Sequence, residues 1–304
     1  MLAFVFPGQG SQYVGMGKDI IEHSRDLFEK ASEILKFDLL KLCIEGPQSE
    51  LDKTENTQPA ILTVSYALLR EVLATGIKPD YVAGHSLGEY TAALCAEVFS
   101  FEDALTITRK RGKLMQNAQP EGKGAMAAVL GLDEDTIRTI CKTISTGYVD
   151  IANLNCPGQI VIAGHTEAVS KASELATQKG AKKVIPLKVS IPSHCLLMED
   201  ASKKFEEFLK NFKFNDSSIP VISNVDASAK KKASEIIDAL IKQLYSPVRW
   251  QDCVKYMSSR GVDIFVEIGP GKVLSGLIRR IEPSVKILNV ENINDVEKIR
   301  EVLQ

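Results

Sequence analysis

The chain has 304 residues, 44% of them hydrophobic and 25% charged, with a formal net charge of −2. Those values are ordinary for a soluble globular enzyme of one large domain or two, with enough residues to bury a full core. A balance so near zero gives no global pull toward nucleic acid or membrane.

The six cysteines (Cys43, Cys95, Cys141, Cys156, Cys195 and Cys253) are scattered, and no two form a C-x-x-C pair. That argues against a zinc site or a disulfide framework and fits a reducing cytoplasm. No apolar run approaches the ~20 residues needed to span a bilayer.

Leu2 to Phe6 is a continuous apolar run, as in a strand buried on both faces of a sheet. It meets Pro7-Gly8 too early for a signal peptide and lacks a basic leader. The loop Pro7-Gly8-Gln9-Gly10-Ser11-Gln12 follows, with glycines that let backbone N–H groups approach a ligand. Read from Gly8, the dinucleotide pattern G-x-G-x-x-G fails at Tyr13, and no Gly-Lys-Ser/Thr follows for a P-loop. Ile20 to Leu42 reads as one helix with mixed faces. Gln58-Pro59-Ala60 is expected to open another, with Pro59 near its first turn, where a missing N–H costs little.

The chain is organised around the next stretch. A β-prone run, Tyr81 to Ala83, meets Gly84-His85-Ser86-Leu87-Gly88, and a helix is expected from Glu89 to about Ala96. G-x-S-x-G between strand and helix lifts a serine Oγ out of the backbone on a sharp turn. Gly84 and Gly88 omit side chains that would clash there, and the Leu87 N–H points where a carbonyl oxygen would become an oxyanion. The motif alone is common, and a small-residue turn without chemistry remains open at this point.

Phe101 to about Ala118 reads as a helix in which one residue does not fit. Arg109, Lys110 and Lys113 share a solvated side, but Arg111 lies on the apolar stripe with Met115. A buried guanidinium needs a partner, either a protein carboxylate or an anionic substrate.

From Gly124 the rhythm changes to strand (Ala125–Leu130), helix (Asp133–Ile144) and strand (Val149–Asn153). Strand (Gln159–Ala163), helix (Thr166–Lys179) and strand (Lys183–Val189) follow. This β-α-β-β-α-β order is that of a ferredoxin-like unit. It suggests a small inserted domain, 124–190, between hinges near Gly122-Lys123-Gly124 and Ser190-Ile191-Pro192, with 1–123 and 191–304 forming the large domain. Beyond it come a helix from about Leu196 to Phe212 and strands at Val221–Asn224, Asp263–Glu267 and Lys286–Val290, then a terminal helix. Lys230-Lys231-Lys232 reads as a solvated turn. Alternating strands and helices predict an α/β fold with a mostly parallel sheet covered on both faces.

Ser86 needs a base. Of the four histidines, His23 and His165 read as surface residues, and His85 projects away from its neighbour at a tight elbow. His194, between Pro192 and a helix start at the domain junction, is the choice. No convincing acidic third member follows Ser86, but a backbone carbonyl can orient the imidazole instead.

Six motifs then occur in one order: Phe-Pro-Gly-Gln-Gly-Ser-Gln (6–12), Gly-His-Ser-Leu-Gly-Glu-Tyr (84–90), Arg-Gly-Lys-Leu-Met-Gln (111–116), Asn-Cys-Pro-Gly-Gln (155–159), Pro-Ser-His-Cys (192–195) and Glu-Ile-Gly-Pro-Gly (267–271). In them the chain resembles, end to end, the malonyl-CoA:acyl carrier protein transacylases. The resemblance implies a hydrolase-like α/β domain with a ferredoxin-like insertion and ping-pong malonyl transfer feeding fatty-acid synthesis. It makes Ser86 the acylated nucleophile and His194 its base, with the N–H groups of Gln9 and Leu87 as oxyanion hole. Arg111, with Met115, would bind the malonyl group, and the carbonyl of Gln243 would orient His194. No metal or cofactor is implied, and a monomer is expected. The partners are malonyl-CoA and an acidic carrier protein, for which Lys182 and Lys183 are the docking candidates. The alternative is a serine hydrolase or thioesterase with water as acceptor. A non-catalytic carrier-binding module would not require the Ser86–His194 pair.

Overall fold

The computed structural model describes residues 1–120, 122–187 and 191–303. In chain order its strands are β1 (Leu2–Phe6), β2 (Tyr81–Gly84), β3 (Gly124–Leu130), β4 (Val149–Cys156), β5 (Gln159–His165), β6 (Lys183–Pro186), β7 (Val221–Ile222), β8 (Ala229–Lys230), β9 (Ile264–Ile268) and β10 (Lys286–Val290). The larger sheet runs β10-β9-β1-β2-β7-β8, parallel throughout except for β8 at its edge. Both of its faces are covered, which is why β1 is apolar without alternation. Phe4 and Phe6 pack with the helix Thr54–Ala74, while Ala3 and Val5 pack on the other side with Trp250 and Leu277.

The chain runs from β1 out to β2 and β7, then returns to β9 on the far side of β1. The strand order therefore reverses beside β1. Ligands of open α/β sheets bind outside the carboxyl ends of the strands at such a point. The loops after β1 and β2 leave from that end.

The smaller sheet is antiparallel, in order β4-β5-β3-β6. Helices Glu134–Thr143 and Thr166–Gln178 cover one face through Ile137, Ile140, Ala168 and Ala172. This is the ferredoxin-like insertion. Its other face packs on Cys195 and Leu197. The two sheets are also joined by main chain, because Leu154 N donates to Val248 O and Val248 N to Ala152 O, each at 2.9 Å.

Several expectations need correction. The helix expected over Ile20–Leu42 breaks at Lys36, which turns left-handed (φ 60°), and a second helix, Leu39–Glu45, starts on the Asp38 side chain. The second long helix opens at Thr54, so Pro59 is its sixth residue rather than near its start. Helix Leu196–Phe212 is a 3₁₀ turn, Leu196–Met198, followed by Glu199–Leu209. Strand Val221–Asn224 stops at Ile222 because the backbone N–H and side chain of Asn224 turn to the elbow. β4 runs three residues further than expected, past irregularities in its pairing. Lys230 is not in a solvated turn. It lies in β8, half-buried, and pairs with Asp226 at 2.8 Å. Of the strand expected over Lys183–Val189, Lys188 and Val189 lie outside the described residues, as does Ser190 of the second hinge.

Candidate active site

The site is built at the end of β2. A Cβ on Gly84 would overlap the Gly88 carbonyl, one on Gly88 the Phe6 carbonyl, and one on Gly8 the His85 carbonyl. Three segments therefore meet at distances only glycine allows. Ser86 is held at φ 52°, a left-handed conformation that costs a non-glycine residue about 1–2 kcal/mol. Hydrogen bonds fix it there: Ser86 N donates to Asn224 Oδ1 at 2.8 Å, and Asn224 Nδ2 donates to Gly84 O at 2.7 Å. Helix Gly88–Cys95 leaves directly from the turn.

His194 is likewise left-handed (φ 63°), anchored by its N–H on Leu244 O at 3.0 Å. Its Nδ1 lies 2.8 Å from the Gln243 carbonyl. A carbonyl only accepts, so Nδ1 carries the proton and Nε2 has a free lone pair. Ser86 Oγ lies 2.8 Å from that Nε2, in position to donate its hydrogen. The N–H groups of Leu87 and Gln9 have no partner among the described residues. The Gln9 side chain is tied to Thr54 Oγ1 at 3.1 Å.

Arg111 is 1% exposed and makes no salt bridge among the described residues. Its Nη2 donates to Ser86 Oγ at 3.2 Å and to Gln243 Oε1 at 2.9 Å, and its guanidinium lies over the Tyr90 ring. Its Nε is buried with no partner, as is Oε1 of Gln58. Arg111, Gln58, Met115, Ser86 and His194 share one cavity of about 230 Å³ that extends to β4 and to helix Val273–Ile281. Met115 Sδ receives the Gln58 amide at 3.6 Å. The site can thus activate a hydroxyl, receive an oxyanion and accept a carboxylate.

The structure brings together Ser86, His194, Arg111, Met115, Gln9, Leu87 and Gln243, all named from the sequence. Lys182 and Lys183 are exposed at the start of β6, with the Lys182 stem against Gly131. His85 turns away from Ser86 and bonds Asn155 Oδ1 of β4 at 2.9 Å. His23 is exposed, and His165 accepts Tyr148 N through Nδ1. Sequence reasoning missed Asn224, Glu89 and the Gln243 side chain.

The acyl transferase domain family matches residues 3–297. The chain belongs to this family. It is 49% identical over 284 residues to the malonyl CoA-acyl carrier protein transacylase of Escherichia coli, covering 92% of each chain. Its identity to the Bacillus subtilis transacylase of the same description is 46% over 301 residues, 97% of this chain and 95% of the relative. Among solved structures, an acyl carrier protein S-malonyltransferase from Vibrio cholerae matches with TM-score 0.95 and 45% identity, covering 98% of this chain and 99% of that one. A type II PKS acyl-carrier protein in complex with its malonyl-transacylase matches with TM-score 0.97 and 43% identity over 99% of both chains.

In this acyltransferase, burial sets the protonation states. Burial, and then the Arg111 charge, push the His194 imidazole down to about 3, so it rests neutral at physiological pH. Burial lowers the Arg111 guanidinium and raises the Glu89 carboxyl to about 7. No helix of the described residues is long and apolar enough to cross a membrane.

Proposed function

We propose that this acyltransferase moves a malonyl group from malonyl-CoA to the phosphopantetheine thiol of an acyl carrier protein, through an ester on Ser86, in support of fatty-acid synthesis. The observation that carries this is a single oxygen. Ser86 Oγ lies 2.8 Å from the base His194 Nε2 and 3.2 Å from a buried arginine with no carboxylate partner.

Ser86 gives its proton to His194 Nε2 as Oγ attacks the thioester carbonyl. The new oxyanion is received by the N–H groups of Gln9 and Leu87, and the positive imidazolium is stabilised by the Gln243 carbonyl. Collapse breaks the carbon–sulfur bond, and His194 returns the proton to the leaving CoA sulfur. The carrier thiol then runs the same steps in reverse, releasing Ser86. Arg111 holds the malonyl carboxylate, beside Met115.

The catalytic groups are assigned to the segments 1–123 and 191–304, and 124–190 to a small domain that closes one side of the cleft. The carrier docks near Lys182 and Lys183, and the enzyme acts as a cytoplasmic monomer. The cytoplasmic assignment is supported by cysteines that are all buried and free.

Incubation with malonyl-CoA should add one malonyl group, detected by intact mass and mapped to Ser86. Ser86→Ala should abolish the adduct; an adduct of equal extent on that variant would refute the assignment. Added holo carrier protein should collect the group. Release of free malonate instead would mark a hydrolase.

A further inference from the structure

Glu89 follows Ser86 by three residues and is 1% exposed. Its Oε2 accepts from Gln243 Nε2 at 2.7 Å and from Asn224 N at 3.0 Å. Gln243 Oε1 in turn accepts from Arg111 Nη2. One amide thus separates a buried carboxylate from a buried guanidinium that has no salt bridge of its own. Resting on the malonyl-transfer function above, we propose that Glu89 is the internal counter-ion of Arg111 and a determinant of acyl specificity, taking one proton from solvent when the malonyl carboxylate occupies Arg111.

Arg111 carries one positive charge and cannot neutralise two buried carboxylates. Like charges within about 10 Å repel, at an effective dielectric near 20, by an amount worth roughly tenfold in affinity. The competing effect is orientation, since Glu89 also holds the Gln243 amide with its Nε2 toward acceptors and its oxygen toward Arg111. That hold survives loss of charge, because a protonated carboxyl still has an oxygen that accepts from Gln243 and Asn224. Charge therefore decides the sign: neutral Glu89 favours malonyl over acetyl.

The surroundings leave Glu89 as the group that titrates near neutrality, where burial has already raised it to about 7. His194 and His85 are lowered by burial and stay neutral. Tyr90 and Cys253 are raised by burial and stay protonated. For Asp226 burial acts upward, but its bonds to Lys230 and Ser228 outweigh it and leave it lowered and ionised, and Arg111 stays charged.

The test is the ratio of Ser86 acylation rates, as kcat/KM, for malonyl-CoA over acetyl-CoA from pH 6.0 to 8.5. Titration of the CoA phosphate cancels in that ratio. The wild-type ratio should fall roughly tenfold as pH rises across this range. Glu89→Gln, which keeps an acceptor oxygen without charge, should give a pH-independent ratio near the wild-type value at pH 6.0. A flat wild-type ratio, or a Glu89→Gln ratio below wild type at every pH, overturns the proposal. If Glu89→Gln does not fold, the wild-type profile decides alone. Absence of any malonyl adduct on Ser86 would instead overturn the function itself.

Discussion

Replacing Arg111 with alanine separates acyl selectivity from acyl transfer. In the resting site its Nη2 is shared between Gln243 Oε1 and Ser86 Oγ, while its Nε has no partner. An acetyl group leaves that donor buried and unsatisfied. A malonyl carboxylate can take two parallel bonds from the guanidinium fork, each worth ~1.5–3 kcal/mol when charge-assisted. Desolvating the carboxylate offsets part of this. The net preference should still be at least about 1.4 kcal/mol, or tenfold. Removing the guanidinium also removes one cause of the depressed His194, so the base should not weaken. Arg111→Ala should therefore lose malonyl transfer while acetyl transfer holds or rises, reducing the preference by about tenfold or more. Arg111→Lys should recover only part, because an ammonium lacks the fork. The assay is competition between malonyl-CoA and acetyl-CoA, read as the two adduct masses on Ser86. Parallel loss of both activities with a lowered Tm would show a structural arginine and refute the reasoning.

His194→Ala should slow acylation by roughly 10²–10⁴, the usual range for a lost general base; near-wild-type rates would reassign the base. Ring-nitrogen NMR should show His194 neutral, with its proton on Nδ1, down to about pH 5, whereas a titration centred near 6.5 would contradict the buried site. The sign follows from linkage. The unfolded chain protonates this histidine near 6.5 and the folded chain only near 3, so its contribution to stability is lost as pH falls through that window. Charge reversal at Lys182 and Lys183 should raise KM for the carrier protein, with an effect that fades in salt. An equal rise in KM for malonyl-CoA would point to a disturbed fold instead.

The legible residues were those with a local signature. Ser86 and Leu87 stand in a spaced motif between strand and helix, and Arg111 breaks an otherwise apolar stripe. The parallel sheet followed from strands such as Leu2–Phe6 that are apolar on both faces. Asn224 and the Gln243 side chain left no such trace. They approach Ser86 across 138 and 157 residues of sequence, and their roles exist only once β7 and the segment around 243 are packed beside β2. Glu89 was visible within its motif, yet nothing in the spacing shows that its carboxylate is buried. The break at Lys36 was hidden for another reason: lysine is a good helix former, and its left-handed turn depends on what Asp38 and Ser32 bond on either side.

The main-chain bonds between Val248 and β4 bear on how far this enzyme can be taken apart. A module that can be spliced out leaves its host's hydrogen bonds whole. Excising the small sheet here would orphan the N–H and carbonyl of Val248, five residues beyond the carbonyl that aims His194, and would take away Asn155, the partner of His85. A chimera that imports another family member's insertion must therefore carry the 243–249 segment with it, or the graft will misalign the base at its seam.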